Sequence, residues 1–338
     1  MPDPRPRRLP VRGLVVLAVV VALVAVAGTA YAWRAGLGPF GGGAQERNRF
    51  AEQGLYVDPD SKTAAGVADA EQAGLTEQAT ILGELADVSA GIWVTPEEHP
   101  VGEVGSYVSG VVEDAADDDQ VAVLVIYGIP NRDCTGGYSS GGTEAGEYAD
   151  WVGEIADAMA GSTAVAILEP DALAGSLACG LRTSRVTHLA DAVDVLVADD
   201  VTTYVDAGHS DWVAPARMAR LLRAVGVGKV RGFATNVANY QTDDDELAYA
   251  EKLSSLLGGS HWVTDRGRNG NGATRVWCNP RGRALGLKPG YVEDDTGLDA
   301  YLWIKPPGES DGTCRGGPAA GELWAARAVA LAQAAGWS

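Results

Sequence analysis

The sequence predicts an α/β fold in which helices surround a parallel sheet. Short apolar runs rich in Val, Ile, Trp and Tyr alternate with longer segments whose apolar residues recur at three- and four-residue spacing. Such alternation within one domain indicates a parallel sheet with outer helices. The seven strand candidates approach the eight strands of a closed (β/α) barrel, so a barrel-like fold is favoured. An open doubly wound sheet is the alternative, although no G-x-G-x-x-G motif follows a strand.

The predicted elements follow one another in regular order through the domain. The strand candidates are Gly91–Val94, Val121–Tyr127, Ala164–Leu168, Val201–Val205, Gly232–Ala234, His261–Val263 and Ala300–Ile304. The helical segments between them include Tyr148–Ala160, Arg185–Ala198, Ala214–Ala224, Asp245–Leu257 and Glu322–Ala335.

The composition is that of an acidic globular protein. Of its 338 residues, 46% are hydrophobic and 21% are charged, which excludes disordered, collagen-like and coiled-coil proteins. The 45 acidic and 26 basic residues give a formal net charge of -19. Such a charge repels nucleic acids and uronate-rich polymers, so the expected partner is uncharged. The 9 Trp against 3 Phe residues point the same way, because an indole ring suits the face of a sugar.

The N-terminal segment, residues 1–32, is a targeting sequence. Four arginines precede an apolar run over residues 14–28, and an Ala-x-Ala ending follows. This order is typical of a cleaved secretory signal, whereas residues 13–32 are also long enough to be retained as a membrane anchor. In both cases we expect the remainder to be secreted or tethered to the outer face of the cell membrane. Residues 33–45 form a predicted Gly-rich linker, and residues 46–338 one catalytic domain.

Cysteine usage agrees with export. The chain has 4 cysteines and no C-x-x-C pair. Because zinc sites need closely spaced ligands, no metal is expected, and no other cofactor is predicted. An even number in an exported chain suggests two disulfides. Three pairings are possible, of which the economical one joins Cys134 to Cys179 and Cys278 to Cys314.

Acidic residues lie at or just after the carboxyl ends of five predicted strands, where chemistry gathers in parallel α/β folds. They are Asp133, Glu169, Asp171, Asp206, Asp265, Glu309 and Asp311. A ring of carboxylates around a neutral substrate suits acid–base catalysis. Glycoside hydrolysis is the obvious case, since one carboxyl protonates the leaving oxygen while another activates water or attacks.

Five segments, in order along the domain, resemble motifs of glycoside hydrolase family 6, the inverting cellulases. They are Tyr127-Gly-Ile-Pro-Asn-Arg-Asp-Cys134, Ile167-Leu-Glu-Pro-Asp-Ala-Leu173, Tyr204-Val-Asp-Ala-Gly-His209, Ala234-Thr-Asn-Val-Ala-Asn-Tyr240 and Lys305-Pro-Pro-Gly-Glu-Ser-Asp-Gly312. The resemblance implies a distorted seven-stranded (β/α) barrel that hydrolyses β-1,4-glucan with inversion of configuration. It also implies two disulfides at the positions of the economical pairing.

The resemblance assigns catalytic roles residue by residue. Asp171 matches the general acid, whose pKa must be raised if it is to donate a proton near neutral pH. Asp133 matches the carboxylate that raises this pKa, and Asp311 matches the proposed base. In a competing account, the attacking water is activated through Asp133, Ser139 and a chain of waters. Tyr127 matches a tyrosine that favours a distorted sugar ring.

The resemblance also implies a set of substrate-binding residues. Trp212 and Trp277 match tryptophans that stack on sugars on either side of the cleavage point. Tyr56 occupies a distal aromatic position that is often Trp in the family. The remaining expected cleft residues are Asp206, His209, Asn236, Arg268, Lys305 and Glu309.

Short cysteine separations favour an open cleft and internal cleavage. Cellobiohydrolases of the family roof the cleft with long loops. Here the economical pairs are only 45 and 36 residues apart in sequence, which leaves little chain for a roof. We therefore expect a monomeric endoglucanase acting on a β-glucan polymer, with a cellobiohydrolase as the alternative.

Three other functions stay open. Gly137-Tyr-Ser-Ser-Gly141 fits the G-x-S-x-G pattern of esterases, but its serine does not directly follow a strand. Asp206 and His209 could serve a metal-dependent hydrolase. A surface-held, inactive glucan-binding protein is the third, although all three matching aspartates are present.

Overall fold

The computed structural model describes residues 43–337. Its strands are β1 (Gly54–Leu55), β2 (Ile92–Val94), β3 (Gln120–Val121), β4 (Val123–Ile126), β5 (Val165–Leu168), β6 (Thr202–Asp206), β7 (Gly232–Thr235), β8 (His261–Asp265), β9 (Gly290–Tyr291) and β10 (Leu298–Leu302). Its α-helices are α1 (Lys62–Gln72), α2 (Thr76–Ala86), α3 (Val104–Asp117), α4 (Tyr148–Met159), α5 (Ala172–Cys179), α6 (Arg182–Ala198), α7 (Pro215–Ala224), α8 (Asp243–Leu257) and α9 (Ala325–Ala334).

Seven parallel strands dominate an eight-stranded sheet with the order β2-β4-β5-β6-β7-β8-β10-β9. The short strand β9 pairs antiparallel with β10 at one edge. The sheet curls until its ends meet, where the Gly91 N–H donates to the Trp303 carbonyl at 2.8 Å. A Cβ at Gly91 would lie 2.3 Å from the Ile304 carbonyl oxygen, so glycine is required for this approach. The result is a distorted barrel surrounded by helices.

This architecture confirms the predicted α/β barrel with seven parallel strands. The predicted strand Val121–Tyr127 is divided, because Gln120 and Val121 pair with β1 and the central strand β4 begins at Val123. The edge strand β9 was not predicted, since its two residues are too few to show a periodic pattern. The five predicted helices agree with the observed ones to within three residues at each end.

Alternate residues of the strands pack into different layers. Val123 and Val125 of β4 join a cluster made almost entirely of strand side chains, inside the barrel. Leu124 and Ile126 belong to the outer cluster, which contains helix residues such as Trp151 of α4. A sheet buried on both faces requires this continuous apolar sequence, because successive side chains point in opposite directions.

The N-terminal segment packs against the domain as far as the structure describes it. The Ala44 N–H donates to the Asp200 carboxylate at 2.8 Å, and the Gln45 side chain accepts the Arg231 N–H at 2.8 Å. These two residues, assigned to the linker by sequence, are therefore part of the folded unit. Within the described part of the chain, no helix has the length and apolarity needed to cross a membrane. The predicted signal or anchor, residues 1–32, lies outside that part.

A buried ion pair fills the barrel interior at the amino ends of the strands. Asp299 accepts two hydrogen bonds from the Arg231 guanidinium, both at 2.7 Å, and one from the Tyr204 hydroxyl at 2.6 Å. The Arg231 and Asp299 side chains are only 5% and 4% exposed. Neither charge can be removed alone without cost, because an unpaired buried ion is strongly destabilising.

Substitution Asp299→Asn should lower the free energy of unfolding by about 3–5 kcal/mol, because it leaves the buried Arg231 cation without a counter-ion. Urea unfolding followed by tryptophan fluorescence measures the change. Asp194→Asn is the matched control. Asp194 pairs with Lys229 at 2.5 Å in an exposed position, where the loss should stay below about 1 kcal/mol. Equal losses in the two variants would contradict the role of burial.

Candidate active site

A cleft of about 840 Å³ crosses the carboxyl ends of the barrel strands. The loops that follow all seven parallel strands contribute to its walls. Carboxylates, aromatic rings and a few basic groups line it, as suits a polar but neutral ligand. The predicted site residues in the walls are Tyr127, Asp133, Ser139, Asp171, His209, Trp212, Trp277, Lys305, Glu309 and Asp311.

Asp171 follows β5 and precedes helix α5 with a left-handed backbone, φ 66°. Its N–H donates to Oδ2 of Asp206 at 2.9 Å, which fixes the residue at the cleft wall. Burial raises the pKa of the Asp171 carboxyl to about 7, and the negative charges of Asp133 and Asp311 reinforce the shift. A large share of Asp171 therefore carries a transferable proton near neutral pH.

Asp133 lies in the loop after β4, residues 131–142. Its Oδ1 accepts the Gly136 N–H at 2.9 Å, and its Oδ2 accepts the Ser139 N–H at 2.8 Å. The carboxylate is thus oriented by the backbone of its own loop and moves with that loop.

Asp311 is held by three donors. Its Oδ1 accepts from Arg268 Nη1 at 2.7 Å, while its Oδ2 accepts from the Tyr240 hydroxyl at 3.0 Å and the Asn279 N–H at 2.9 Å. The Asp311 N–H in turn donates to Oδ1 of Asn279 at 3.0 Å. These contacts fix the orientation of the carboxylate in the cleft wall.

The Tyr127 ring is packed between two side chains. The Trp93 ring meets it edge to face with the centroids 4.9 Å apart, and the Arg132 guanidinium lies 4.5 Å from its centroid. Burial raises the pKa of the Tyr127 hydroxyl above its usual range, so the phenol stays neutral. Tyr127 therefore contributes a neutral ring, held in place by its neighbours, to the cleft wall.

Lys305 and Glu309 form an ion pair in the cleft wall, with Nζ and Oε2 separated by 3.0 Å. The Lys305 ammonium also lies 5.0 Å from the Trp93 ring centroid. The pair presents hydrogen-bond donors and acceptors together without net charge. Such a pair suits the hydroxyl groups of a neutral sugar.

Exposed aromatic rings form another part of the cleft wall. Trp212 is 37% exposed and Trp277 is 44% exposed. Trp212 packs beside His209 with ring centroids 5.5 Å apart, and burial lowers the pKa of His209 to about 4, so the imidazole is neutral at pH 7. Trp277 meets Tyr138 edge to face at 5.7 Å. Open indole faces in a cleft can stack on sugar rings.

Two expected cleft residues, Asp206 and Asn236, lie beneath the cleft. Asp206 is 1% exposed, and its Oδ2 accepts the Asp171 and Gly208 N–H groups at 2.9 and 3.0 Å. Asn236 is fully buried, and its Nδ2 donates to the Asp265 carbonyl at 2.8 Å. Both side chains hold the backbone that shapes the cleft, and neither lines the cleft wall.

Two further expected cleft residues are also buried. Arg268 is 4% exposed because its guanidinium is engaged with Asp311 and lies 4.5 Å from the Tyr240 ring centroid. Tyr56 is 4% exposed and belongs to the outer apolar core. The distal aromatic platform implied for Tyr56 is therefore not found in the cleft wall.

The structure contains the two expected disulfides, Cys134–Cys179 and Cys278–Cys314. Cys134 directly follows Asp133 in the sequence. Cys278 directly precedes Asn279, which contacts Asp311 through both its N–H and its side chain. Each bridge therefore anchors a loop that positions one of the cleft aspartates.

The residues of the esterase and metal-hydrolase hypotheses are not arranged for those reactions. Ser139 lies within a loop, whereas a nucleophile elbow places its serine on a tight turn directly after a strand. Over residues 43–337, no group of three His, Cys, Asp or Glu side chains is placed to hold a metal ion.

Four side chains of the site were missed by the sequence analysis. They are Trp93, Arg132, Tyr240 and Asn279. Arg132 and Tyr240 lie within the family-like segments, and Asn279 adjoins a paired cysteine, so their positions carried a signal. Trp93 lay inside a predicted strand, where its packing against Tyr127 could not be read from a local pattern.

A parallel α/β barrel whose strand ends carry a carboxyl of raised pKa and further carboxylates, beside exposed indoles, is typical of glycoside hydrolases. Residues 50–335 match the family described as Glycosyl hydrolases family 6, and the chain belongs to that family.

Relatives with known names agree with this assignment. The chain is 43% identical to Endoglucanase A of Cellulomonas fimi over 292 residues, which cover 84% of this chain and 62% of that relative. It is 35% identical to Endoglucanase 1 of Streptomyces halstedii over 272 residues, or 77% of this chain and 82% of that one. The solved endoglucanase Cel6 from Mycobacterium tuberculosis, in complex with a methyl-cellobiosyl-4-deoxy-4-thio-β-D-cellobioside, superposes with a TM-score of 0.80 at 41% identity. This match covers 86% of our chain and 100% of that chain.

Proposed function

We propose that the chain hydrolyses internal β-1,4-glucosidic bonds of cellulose or a related β-glucan with inversion of configuration. The observation that carries this proposal is the Asp171 carboxyl, which lines a cleft together with Asp133 and Asp311 and whose pKa is raised to about 7 by burial and by these two charges. The thio-cello-oligosaccharide bound by the Mycobacterium tuberculosis structure supports a glucan as the ligand.

Asp171 acts as the general acid in this proposal. A glucosidic oxygen is a poor leaving group until it receives a proton, so the donor must be a carboxyl that is still protonated at working pH. Burial and two neighbouring aspartates provide that property for Asp171. The hydrogen bond from the Asp171 N–H to Asp206 holds the backbone, and with it the proton-donating carboxyl, in place.

Asp311 is the proposed base, because its carboxylate is oriented in the cleft wall and interacts electrostatically with Asp171. An inverting enzyme holds a water between base and sugar, with the two carboxyls about 6.5–9.5 Å apart. The alternative route would use a water chain from Asp133 and Ser139, which are already linked by a 2.8 Å hydrogen bond. Tyr127 would then hold the reacting ring from the side.

Internal cleavage is supported by the loops around the cleft. The two disulfide-closed segments span only 45 and 36 residues. The loops after β4 and β8 meet through the noncovalent Tyr138–Trp277 contact and are not joined to each other by a disulfide. The relatives include enzymes named endoglucanase as well as Exoglucanase 3 of Agaricus bisporus, which is 29% identical.

Export is part of the same proposal. Both disulfides need an oxidising compartment, and a polymeric glucan is met outside the cell. Residues 1–32 would direct the chain there, and a single copy carries the whole cleft, in agreement with a monomer.

Asp171→Ala should abolish hydrolysis of cello-oligosaccharides while leaving their binding largely unchanged, because it removes the proton donor and little of the binding surface. Turnover of cellopentaose and calorimetric binding of the same sugar measure the two effects. A substrate with an activated phenolic leaving group should retain far more of its rate. Full activity on cellopentaose in this variant would refute the acid assignment.

The kcat/KM of the wild-type protein should fall as pH rises through about 7, the pKa of the Asp171 carboxyl. The rate falls with rising pH because only the protonated form of Asp171 can donate a proton. A raised pKa keeps that form present, and the enzyme active, up to a higher pH. Glu169→Gln is the control, because burial also raises the pKa of Glu169 to about 7 although it does not line the cleft. If the fall of kcat/KM near pH 7 disappears in Glu169→Gln, the titrating group is Glu169 and not Asp171.

Digestion of carboxymethylcellulose by the full chain tests the mode of cleavage. Internal cuts should lower the viscosity steeply while few reducing ends are released, because each cut shortens a chain near its middle. The two quantities are followed together in one reaction. Reducing ends without the early fall in viscosity would indicate an exo-acting enzyme, and no change in either would contradict β-1,4-glucan hydrolysis.

A further inference from the structure

A glutamate in the loop after β2 contacts the loop that carries Asp133. Glu97 Oε1 accepts from Arg132 Nη2 at 3.1 Å and from the Gly142 N–H at 2.9 Å, while its Oε2 accepts from Arg132 Nη1 at 3.0 Å. The two residues thus form a bidentate pair, the geometry in which an arginine fixes direction as well as distance. Glu97 therefore contacts residues 131–142 at both ends of the loop.

Arg132 also binds backbone carbonyl groups of the segment that it belongs to. Its Nε donates to the Ser139 carbonyl at 2.8 Å, and its Nη1 donates to the Tyr127 carbonyl at 2.7 Å. The residue is 7% exposed, whereas the Glu97 side chain is 47% exposed. A nearly buried cation is thus neutralised by a carboxylate that reaches it from a different loop.

The backbone of residues 131–142 is shaped for this contact. A Cβ at Gly141 would lie 2.1 Å from Glu97 Oε1, and Gly141 has φ 147°, so glycine permits the approach. Asn131 and Asp133, on either side of Arg132, have left-handed backbones with φ 57° and 48°. Non-glycine residues keep such conformations only when surrounding contacts impose them.

We propose that Glu97 is a positioning residue that holds residues 131–142 against the loop after β2 and so keeps the Asp133 carboxylate beside Asp171. The proposal rests on the function assigned above. Glu97 itself lines the cleft, and the role that the proposal gives it is to hold the loop. Asp133 is bound to Gly136 and Ser139 within the same loop, so a displacement of the loop displaces the carboxylate with it.

Loss of Glu97 should lower the pKa of Asp171, an effect that a general loss of stability would not produce. Asp171 is faced by the carboxyls of Asp133, Asp311 and Asp206 and by the Arg185 cation. If Asp133 withdraws, one of the negative charges that raise the pKa of Asp171 is lost. The acid then releases its proton at lower pH, and the basic limb of the rate profile moves to lower pH.

The test compares pH–rate profiles on cellopentaose for the wild-type protein, Glu97→Ala and Glu97→Gln. Glu97→Ala should lower kcat about ten- to hundredfold through misplacement of the site. It should also move the basic limb down by about 0.5–1 pH unit. Glu97→Gln keeps an acceptor for the Gly142 N–H but loses the negative charge. Its kcat and the position of its basic limb should therefore lie between those of the wild-type protein and Glu97→Ala. Amide hydrogen exchange of residues 131–142 should be faster in the Ala variant.

Glu154→Ala is the matched control. Glu154 accepts the N–H of Gly102, in the same loop after β2, at 2.8 and 2.9 Å, but it lies on helix α4 and away from the cleft. In this control, the basic limb of the pH–rate profile and the amide hydrogen exchange of residues 131–142 should both match those of the wild-type protein. An unshifted limb in Glu97→Ala, or an equal shift in Glu154→Ala, would overturn the proposal. Hydrogen exchange reports on the loop even if the wild-type protein hydrolyses no glucan, so failure of the proposed function is recognised separately.

Discussion

A single buried carboxylate fastens the loops after three strands to one another. Asp265, at the end of β8, accepts the N–H groups of Ala238, Gly267 and Lys305, each at 3.0 Å. These amides belong to the loops after β7, β8 and β10, and buried N–H groups are costly to leave without an acceptor. The loops can therefore converge over the strand ends only because a carboxylate lies between them. The cleft wall around Lys305 therefore depends on a buried carboxylate that does not itself line the cleft.

Burial raises the pKa of several carboxyls alike, and location separates the proposed acid, Asp171, from the others. The pKa values of Asp171, Glu169 and Glu246 are all raised to about 7 by burial. Glu169 accepts hydrogen bonds from a backbone amide and from Tyr148, and Glu246 accepts the Ser210 N–H. Neither lines the cleft. A raised pKa thus identifies a desolvated carboxyl, and only one facing the cleft can donate to a ligand.

The strands and the cleft aspartates could be predicted because each depends on a contiguous stretch of sequence. Strand β4, for example, is an apolar run buried on both faces, and Asp171 is the third residue after the end of β5. The contact between Glu97 and Arg132 joins residues 35 positions apart, and no local pattern encodes it. The burial of Tyr56 could not be predicted for a related reason, because it depends on side chains from other parts of the sequence that pack over it.

The two disulfides place a covalent constraint beside each of two cleft aspartates. Cys134 adjoins Asp133, and Cys278 adjoins the asparagine that holds Asp311, so each bridge closes a loop that carries or positions one of these carboxylates. Neither cysteine pair belongs to the apolar cluster inside the barrel, so the covalent constraint acts on the cleft loops rather than on the strands. Covalent closure and hydrogen bonding therefore act together on the two aspartates, with one bridge and one set of donors for each.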